Sequence, residues 1–456
     1  MQGKAHTARV TLYRNKGKIH ARSTRGRFNS LRWAMVWLTQ LVFYGACWLG
    51  WVDGSGQARQ ALLFDIAHEK CYLFGLVLWP QDALLLAIVL ILAATGLFLV
   101  TAMAGRLFCG FACPQTVYTS IFMWIEEKVE GDHLARRRLD DAPWSARKLA
   151  LRATKHGLWL ALAAWTGITF VGYFTPIREL LPAVAGWQLG PWEGFWVVFY
   201  GLFMYVQAGF AREAVCQHMC PYSRFQGVMF DPATRSVAYR AARGEPRRAR
   251  GGAGAGDCVD CGICVQVCPT GIDIRDGLQY QCINCGLCAD ACDAVMTRIG
   301  KPVGLIGFAS ELELSGKPGA ARPRLAGYGG LLAVCVGLAA WTLASRPLLR
   351  VDVLRDRGSL AREAADGRIE NAYTLKLINL ADAPRDFRVA VSGIDGAEIV
   401  GPTRFAGEAG GIRTVQLTVA VPAGEGGAGV RPIAFEVTAE QDAAVRAVER
   451  STFAMP

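Results

Sequence analysis

Five stretches of this 456-residue chain contain no Asp, Glu, Lys or Arg: residues 33–52, 83–104, 157–175, 194–210 and 325–345. A helix needs about 20 apolar residues to cross the ~30 Å hydrocarbon core of a bilayer, with about 17 as the lower end. The fourth stretch, at 17 residues, sits at that end. Charge-free runs of this length flanked by Trp and Tyr are expected to be membrane spans rather than buried helices of a soluble enzyme. A shorter apolar piece, residues 71–80, ends in Pro80 and is expected to be interfacial or re-entrant.

The charges between the spans orient them. Residues 1–32 hold nine Lys/Arg and no Asp or Glu, and residues 105–156 again hold nine. Segment 53–82 has only Arg59 and Lys70, segment 176–193 only Arg178, and segment 212–324 is rich in Arg. Basic flanks stay on the cytoplasmic side. The basic N-terminal arm and segment 212–324 are therefore expected inside, and the last 110 residues outside. The first span is expected to be a retained anchor, because its apolar run is long for a signal peptide and no Ala-x-Ala-like site follows. The formal charge of +11 (49 basic, 38 acidic) follows the same topology, since residues 347–456 carry 13 basic and 15 acidic residues. Basic residues distributed this way, rather than in one patch, indicate a lipid bilayer as partner and no nucleic acid.

Fifteen cysteines carry the chemistry. Eight form two runs: Cys258-x2-Cys261-x2-Cys264-x3-Cys268-Pro269 and Cys282-x2-Cys285-x2-Cys288-x3-Cys292. In two-cluster bacterial ferredoxins three closely spaced thiolates wrap one cubane, and the fourth Cys of each run ligates the other cluster. One [4Fe-4S] cluster is then expected on Cys258, Cys261, Cys264 and Cys292, and the second on Cys282, Cys285, Cys288 and Cys268. Zinc on Cys-x2-Cys pairs is the competing assignment. Asp293 stands where the second run would have its Pro, which removes no ligand. Cluster thiolates need a reducing compartment, in agreement with the charge-derived orientation.

A second group is Cys109-x3-Cys113-Pro114 and Cys216-x3-Cys220-Pro221, each following a span that runs from outside to inside. Position i and i+4 would share one helix face, and all four thiols would gather at the cytoplasmic membrane edge. Four soft thiolates suit Cu(I) better than Cu(II) and would favour one-electron reduction of bound cupric ion. Inert buried thiols and ligands of an additional cluster are the alternatives. Cys47, Cys71 and Cys335 have no partner at ligand spacing and are expected to pack. His218, two residues from Cys216, points away from the thiol face in a helix.

The expected organisation is a mainly α polytopic membrane protein with two appended modules. Residues 1–32 form the basic arm and 33–240 a four-helix membrane domain. A cytoplasmic two-cluster ferredoxin-like domain spans 241–324, with a flexible basic tether over residues 243–256 ahead of its cysteine runs. A fifth transmembrane helix follows at 325–345. Residues 346–456 form a periplasmic domain whose stretches 373–378, 387–391, 414–419 and 434–437 largely alternate apolar and other residues, as half-buried strands do. Short, regularly spaced strands in about 110 residues fit an immunoglobulin-like β-sandwich.

The chain also resembles a known family. The basic arm and the segments 74–82, 106–115, 172–179, 291–296 and 366–376 are similar to the cytochrome c oxidase accessory proteins called CcoG, RdxA or FixG, and Asp293 matches them too. The resemblance covers nearly the whole chain. It implies a bacterial inner-membrane protein with two [4Fe-4S] clusters and an immunoglobulin-like tail. It further implies reduction of Cu(II) to Cu(I) for assembly of a cbb3-type oxidase, with Cys109, Cys113, Cys216 and Cys220 as copper-handling thiols. Copper ions, oxidase assembly factors or a copper chaperone, and an electron donor of unassigned identity are the expected partners. The rival readings are a ferredoxin-type electron conduit to a quinone or periplasmic acceptor, and a non-catalytic assembly scaffold.

Overall fold

The computed structural model describes residues 18–54, 56–247, 254–319, 322–356, 361–422 and 429–455. The chain divides into two compact units, one of Met1–Phe43, Ile91–Phe170 and Gly190–Val334, the other of Tyr44–Leu90, Val171–Leu189 and Cys335–Pro456. Among the described residues, three helices are long and apolar enough to cross a membrane: Ala83–Ala104, Pro191–Ala211 and Pro323–Ala344. They coincide with three of the five expected spans.

The other two expected spans are displaced. Residues 33–52 are not one helix: the helix is Arg27–Ala46, and Gly50–Val52 is a strand paired with Ala58–Gln60. Residues 157–175 end a helix that begins earlier, Ala146–Val171, so its first turns carry Arg147, Lys148, Arg152 and Lys155. Acidic partners draw Arg152 and Lys155 into the fold and backbone carbonyls hold Lys148, so a window of apolar residues misplaces the helix. The piece expected to be re-entrant, residues 71–80, is instead a hairpin of Lys70–Leu73 and Leu76–Leu78, joined by Leu62–Asp65 into a three-stranded sheet. Its β-branched and aromatic residues favour a pleated surface.

In the first unit the helix Arg27–Ala46 begins against another segment. Its first turn has unsatisfied N–H groups, and the backbone N–H groups of Phe28 and Asn29 donate to the Asp290 carboxylate at 3.1 and 2.7 Å. The basic arm is docked over its described part: Arg22 N–H donates to the Gln266 carbonyl at 2.8 Å, and Arg136 donates to the Ala21 carbonyl at 2.7 Å. Residues 1–17 lie outside the described set.

The cysteine-rich module starts before residue 241. Strand Ser236–Tyr239 pairs antiparallel with Ile306–Ala309 and closes the module from both ends. The expected tether is a closed excursion, part of which (248–253) lies outside the described residues. Asp257 N–H donates to the Arg243 carbonyl, and the Asp257 carboxylate pairs with Arg243 and Lys301. The two ends of the loop are thus held together rather than left to swing.

The second unit contains the C-terminal sandwich. One sheet runs Glu398–Val400, Ile412–Val421, Ile369–Asn379, Leu349–Arg355, with Arg362–Glu363 also on Ile369–Asn379. The other runs Arg404–Gly407, Arg385–Ser392, Gly429–Ala439, Arg446–Met455. All pairs are antiparallel. Inward rows include Tyr373, Leu375 and Leu377 from one sheet and Phe387, Phe435 and Phe453 from the other. The Tyr373 and Phe435 rings meet edge to face at 5.0 Å. Within this unit the sandwich also holds the small sheets: Arg59 pairs with Asp382 at 3.0 Å, and Val77 and Trp79 pack on Ile378 and Leu380.

Candidate redox site

The two Cys runs fold as a local repeat. Asp260-Cys261-Gly262 and Asn284-Cys285-Gly286 each place a left-handed residue on both sides of the middle cysteine, with φ of 50° and 66° in the first and 55° and 72° in the second. Short helices, Ile263–Gln266 and Leu287–Arg298, follow at once. Glycine suits such a φ best. At Gly286 it also makes room, since a Cβ would stand 2.6 Å from the Phe28 ring. Two such turns wrap three thiols around a common centre.

Two cavities result. One is lined by Cys258, Cys261, Cys264 and Cys292 with Tyr239, Val295, Met296 and Leu305. The other is lined by Cys268, Cys282, Cys285 and Cys288, with Cys264 at its border and Val237, Ile274 and Ile283 in its walls. Each run therefore contributes its fourth cysteine, Cys268 or Cys292, to the cavity of the other. Among the described residues no three ligating side chains converge as they would on a single ion. Four soft sulfurs around an apolar cavity are the donor set a [4Fe-4S] cubane requires. Burial, then repulsion by neighbouring thiolates, pushes Cys282 and Cys292 up to about 12. That repulsion is what a cationic iron–sulfide core offsets when bound. Asp293 continues the helix Leu287–Arg298, where a Pro would break it, and accepts the Gly304 N–H at 2.7 Å.

The Cys-x3-Cys-Pro motifs do not lie on single helices, contrary to the i, i+4 expectation. Cys109 sits in the short helix Leu107–Phe111, and Cys113 is the N-cap of Pro114–Glu130. Cys216 sits in a π-helical turn, Val215–Met219, and Cys220 is the N-cap of Pro221–Met229. Pro at the first helical position is the cause: it fits a helix start but cannot continue one. Each second cysteine consequently stands at a helix N-terminus, where free N–H groups favour a thiolate. The Gln115 and Thr116 N–H groups act in this way on Cys113, although burial raises its thiol overall. His218 lies in the same π-helical turn as Cys216.

The four thiols lie within electrostatic reach of one another, although among the described residues no three of them converge as on a single ion. Cys216 feels the charges of Cys113, Cys109 and Cys220, and burial followed by these repulsions pushes it up to about 12. Cys109 is held at about 11, raised by burial and lowered by a hydrogen bond from Gln226 Nε2 at 3.4 Å. Gln115 ties the two motifs by donating to the Gln207 and Arg212 carbonyls at 3.0 and 3.1 Å. Cys47 and Cys335 are buried and Cys71 is half-buried on the small sheet.

Sequence reasoning missed the polar frame around these thiols. Glu126 is fully buried among Arg212, Lys155 and Arg136, at 3.0, 3.5 and 3.3 Å. Burial alone would raise its carboxyl, but Arg212, Lys18, Lys155 and Arg136 together lower it to about 2. Arg106 and Gln226 are likewise buried beside the cysteines. Charges inside or beside otherwise apolar segments were the available signal.

Comparison with known proteins follows these boundaries. A 4Fe-4S dicluster domain family matches residues 211–311, a 4Fe-4S binding domain family residues 86–132, and an IG-like fold at the C-terminal of FixG residues 339–456. Nitrogen fixation protein FixG of Rhizobium meliloti (strain 1021) is 35% identical over 446 residues, 89% of this chain and 84% of that protein. Protein RdxA of Cereibacter sphaeroides is 41% identical over 396 residues, 84% of each chain. Methylamine utilization ferredoxin-type protein MauN of Paracoccus denitrificans is 30% identical over 198 residues, 42% of this chain and 56% of that protein. The chain carries 4Fe-4S domains and an IG-like domain, the composition of an iron–sulfur redox protein.

Proposed function

The chain belongs to the family of FixG and RdxA, and from that premise we propose that it is a membrane-bound cupric reductase serving copper-site assembly of a cbb3-type cytochrome c oxidase. In this reading five helices span the bacterial inner membrane, with the arm and cysteine-rich module cytoplasmic and the sandwich periplasmic. The charge asymmetry between the segments supports that orientation. Support for the reading comes from four soft thiols within electrostatic reach of one another, of which Cys109 packs with Cys285 of the second set of eight.

The two quartets Cys258, Cys261, Cys264, Cys292 and Cys282, Cys285, Cys288, Cys268 would hold [4Fe-4S] clusters, which when bound supply single electrons. Cys109, Cys113, Cys216 and Cys220 take copper as substrate. Thiolate ligands stabilise Cu(I) over Cu(II), so binding itself pulls the ion toward reduction. Gln226 orients the Cys109 sulfur, and the Gln115 and Thr116 N–H groups at the start of Pro114–Glu130 offset part of the burial that raises the Cys113 thiol. Glu126 and its cations hold Arg212, and through it the π-helical turns before Cys216, in place.

Replacing Cys109 and Cys113 together by Ser tests this. Cu(II) reduction should be abolished while both reduced clusters remain visible by electron paramagnetic resonance. Unchanged reductase activity would remove copper from these thiols. A second reading is favoured by one finding: the 4Fe-4S binding domain match at 86–132 contains no cysteines besides Cys109 and Cys113. In that reading the quartet holds an additional cluster, and anaerobically purified protein would contain iron for three clusters rather than two.

A further inference from the structure

We infer that the cavity of Cys268, Cys282, Cys285 and Cys288, rather than that of Cys258, Cys261, Cys264 and Cys292, is the one coupled to the membrane-edge thiols, and that Arg106 is the positioning residue the two sites share. This deepens the function proposed above and rests on it.

Three contacts join the Cys109 segment to the second cysteine run. Gly110 lies directly against that run's backbone: a Cβ there would stand 2.7 Å from the Ile283 carbonyl oxygen and 3.0 Å from the Cα of Cys285. Asn284, next to Cys285, donates from Nδ2 to the Ala104 carbonyl at 3.2 Å, which anchors the loop on the end of the helix Ala83–Ala104. Cys109 itself packs in one buried apolar cluster with Ile283, Cys285 and Leu287. Backbone contact without an intervening side chain is the closest approach two segments can make, and it requires glycine at 110.

Arg106 fills the remaining gap. The residue is 5% exposed, and its guanidinium lies 4.7 Å over the Tyr280 ring and donates to the Ser223 carbonyl. Tyr280 hydroxyl and Ser223 Oγ are 2.6 Å apart, and Ser223 Oγ donates to the Cys220 carbonyl at 3.0 Å. One cation is thereby fixed to the second Cys-x3-Cys-Pro helix and to the residue two before Cys282. A fixed positive charge stabilises the extra negative charge of a reduced cluster and so raises its potential. Cys268, Cys282, Cys285 and Cys288 would hold the cluster that supplies the one electron taking Cu(II) to Cu(I), the cluster itself passing from reduced to oxidised. One electron crosses per copper, no bond forms or breaks, and no proton moves.

Potentiometric titration of the full chain, read by electron paramagnetic resonance, tests the assignment. Cys282→Ser and Cys258→Ser mark which signal belongs to which cavity. Arg106→Gln should weaken the hold on the electron about tenfold at the Cys282 cluster, a fall of about 59 mV for a one-electron couple, and leave the other cluster unmoved. Arg106→Lys should restore most of the fall, which a merely structural role would not predict. Tyr280→Phe, on a partly exposed ring, is the milder variant and should move the same potential the same way by less. A shift confined to the Cys258 signal, an equal shift of both, or no shift in any variant overturns the assignment. If the potentials move as expected while wild-type protein reduces no Cu(II), the assignment stands and the copper reading falls.

Discussion

In the sandwich the most deeply buried large side chains are Phe387, Phe435, Phe453, Tyr373 and Leu375, whereas in the cysteine-bearing unit they include Arg136 and Lys155 as well as Trp159 and Phe122. One interior is made of apolar rows that alternate with exposed residues along each strand. The other is made of apolar helices pinned by Glu126 and Glu130 with their cations and by Asp290 with two backbone N–H groups. The difference teaches what each interior is for. An apolar core tolerates approximate matches of volume and shape, which is enough for a domain without a reactive centre. A frame of buried ion pairs is geometrically exacting, since each charge left without its partner is costly. Such a frame suits a place where thiols must meet.

Substitutions in the two regions should separate these modes. Glu126→Gln should have the largest effect, destabilising the cysteine-bearing unit by about 4–5 kcal/mol, because Arg212, Arg136 and Lys155 lose a buried anion. Thermal unfolding in detergent, followed by loss of cluster absorbance, would measure it. The same carboxyl predicts a pH dependence. Its folded value of about 2 lies below the ordinary 4.5, so its contribution is fully present above about pH 4.5 and is lost as pH falls toward 2. The acid sensitivity of that unit should shrink in Glu126→Gln. Phe435→Ala should cost the sandwich about 3–4 kcal/mol through the cavity it leaves, in a unit whose loss of structure is read by near-ultraviolet circular dichroism. Cluster signals should be unchanged in that variant. Equal loss of cluster absorbance in Phe435→Ala would break the contrast between the two interiors. Asp290→Asn should have the smallest effect, about 2 kcal/mol, by weakening two charge-assisted hydrogen bonds to the start of the helix Arg27–Ala46. Hydrogen exchange at Phe28 and Asn29 would report it directly.

Legibility in the sequence followed physical locality. Strands 373–378, 387–391, 414–419 and 434–437 all fall within observed strands, because alternation on a half-buried strand is a local pattern. Strands Leu349–Arg355 and Arg446–Met455 escaped, since charged residues occupy their outward positions and thin the apolar count. The helices Ala83–Ala104 and Pro323–Ala344 were legible from charge-free runs alone. Ala146–Val171 was misplaced because Arg152 and Lys155 find Asp140, Glu126 and Glu130 on preceding helices, and Arg27–Ala46 because Arg32 donates to Ser120 of another helix and the chain turns to a strand at Gly50. No window of neighbouring residues contains that information.

The cysteine spacing by itself determined which thiols ring each of the two cavities, because a chain that wraps three close sulfurs around one centre must borrow the fourth from its repeat. Residue order also determined that the Cys-x3-Cys-Pro pairs follow corresponding helices. Only the tertiary structure decided that Pro114 and Pro221 break each pair across a helix start, that Gly110 lies on the Cys285 backbone, and that Arg106 stands between the two sets of sulfurs. Ligand spacing is set by bond geometry along a few residues, whereas the approach of two sites depends on how distant segments dock, and on the buried charges that hold them there.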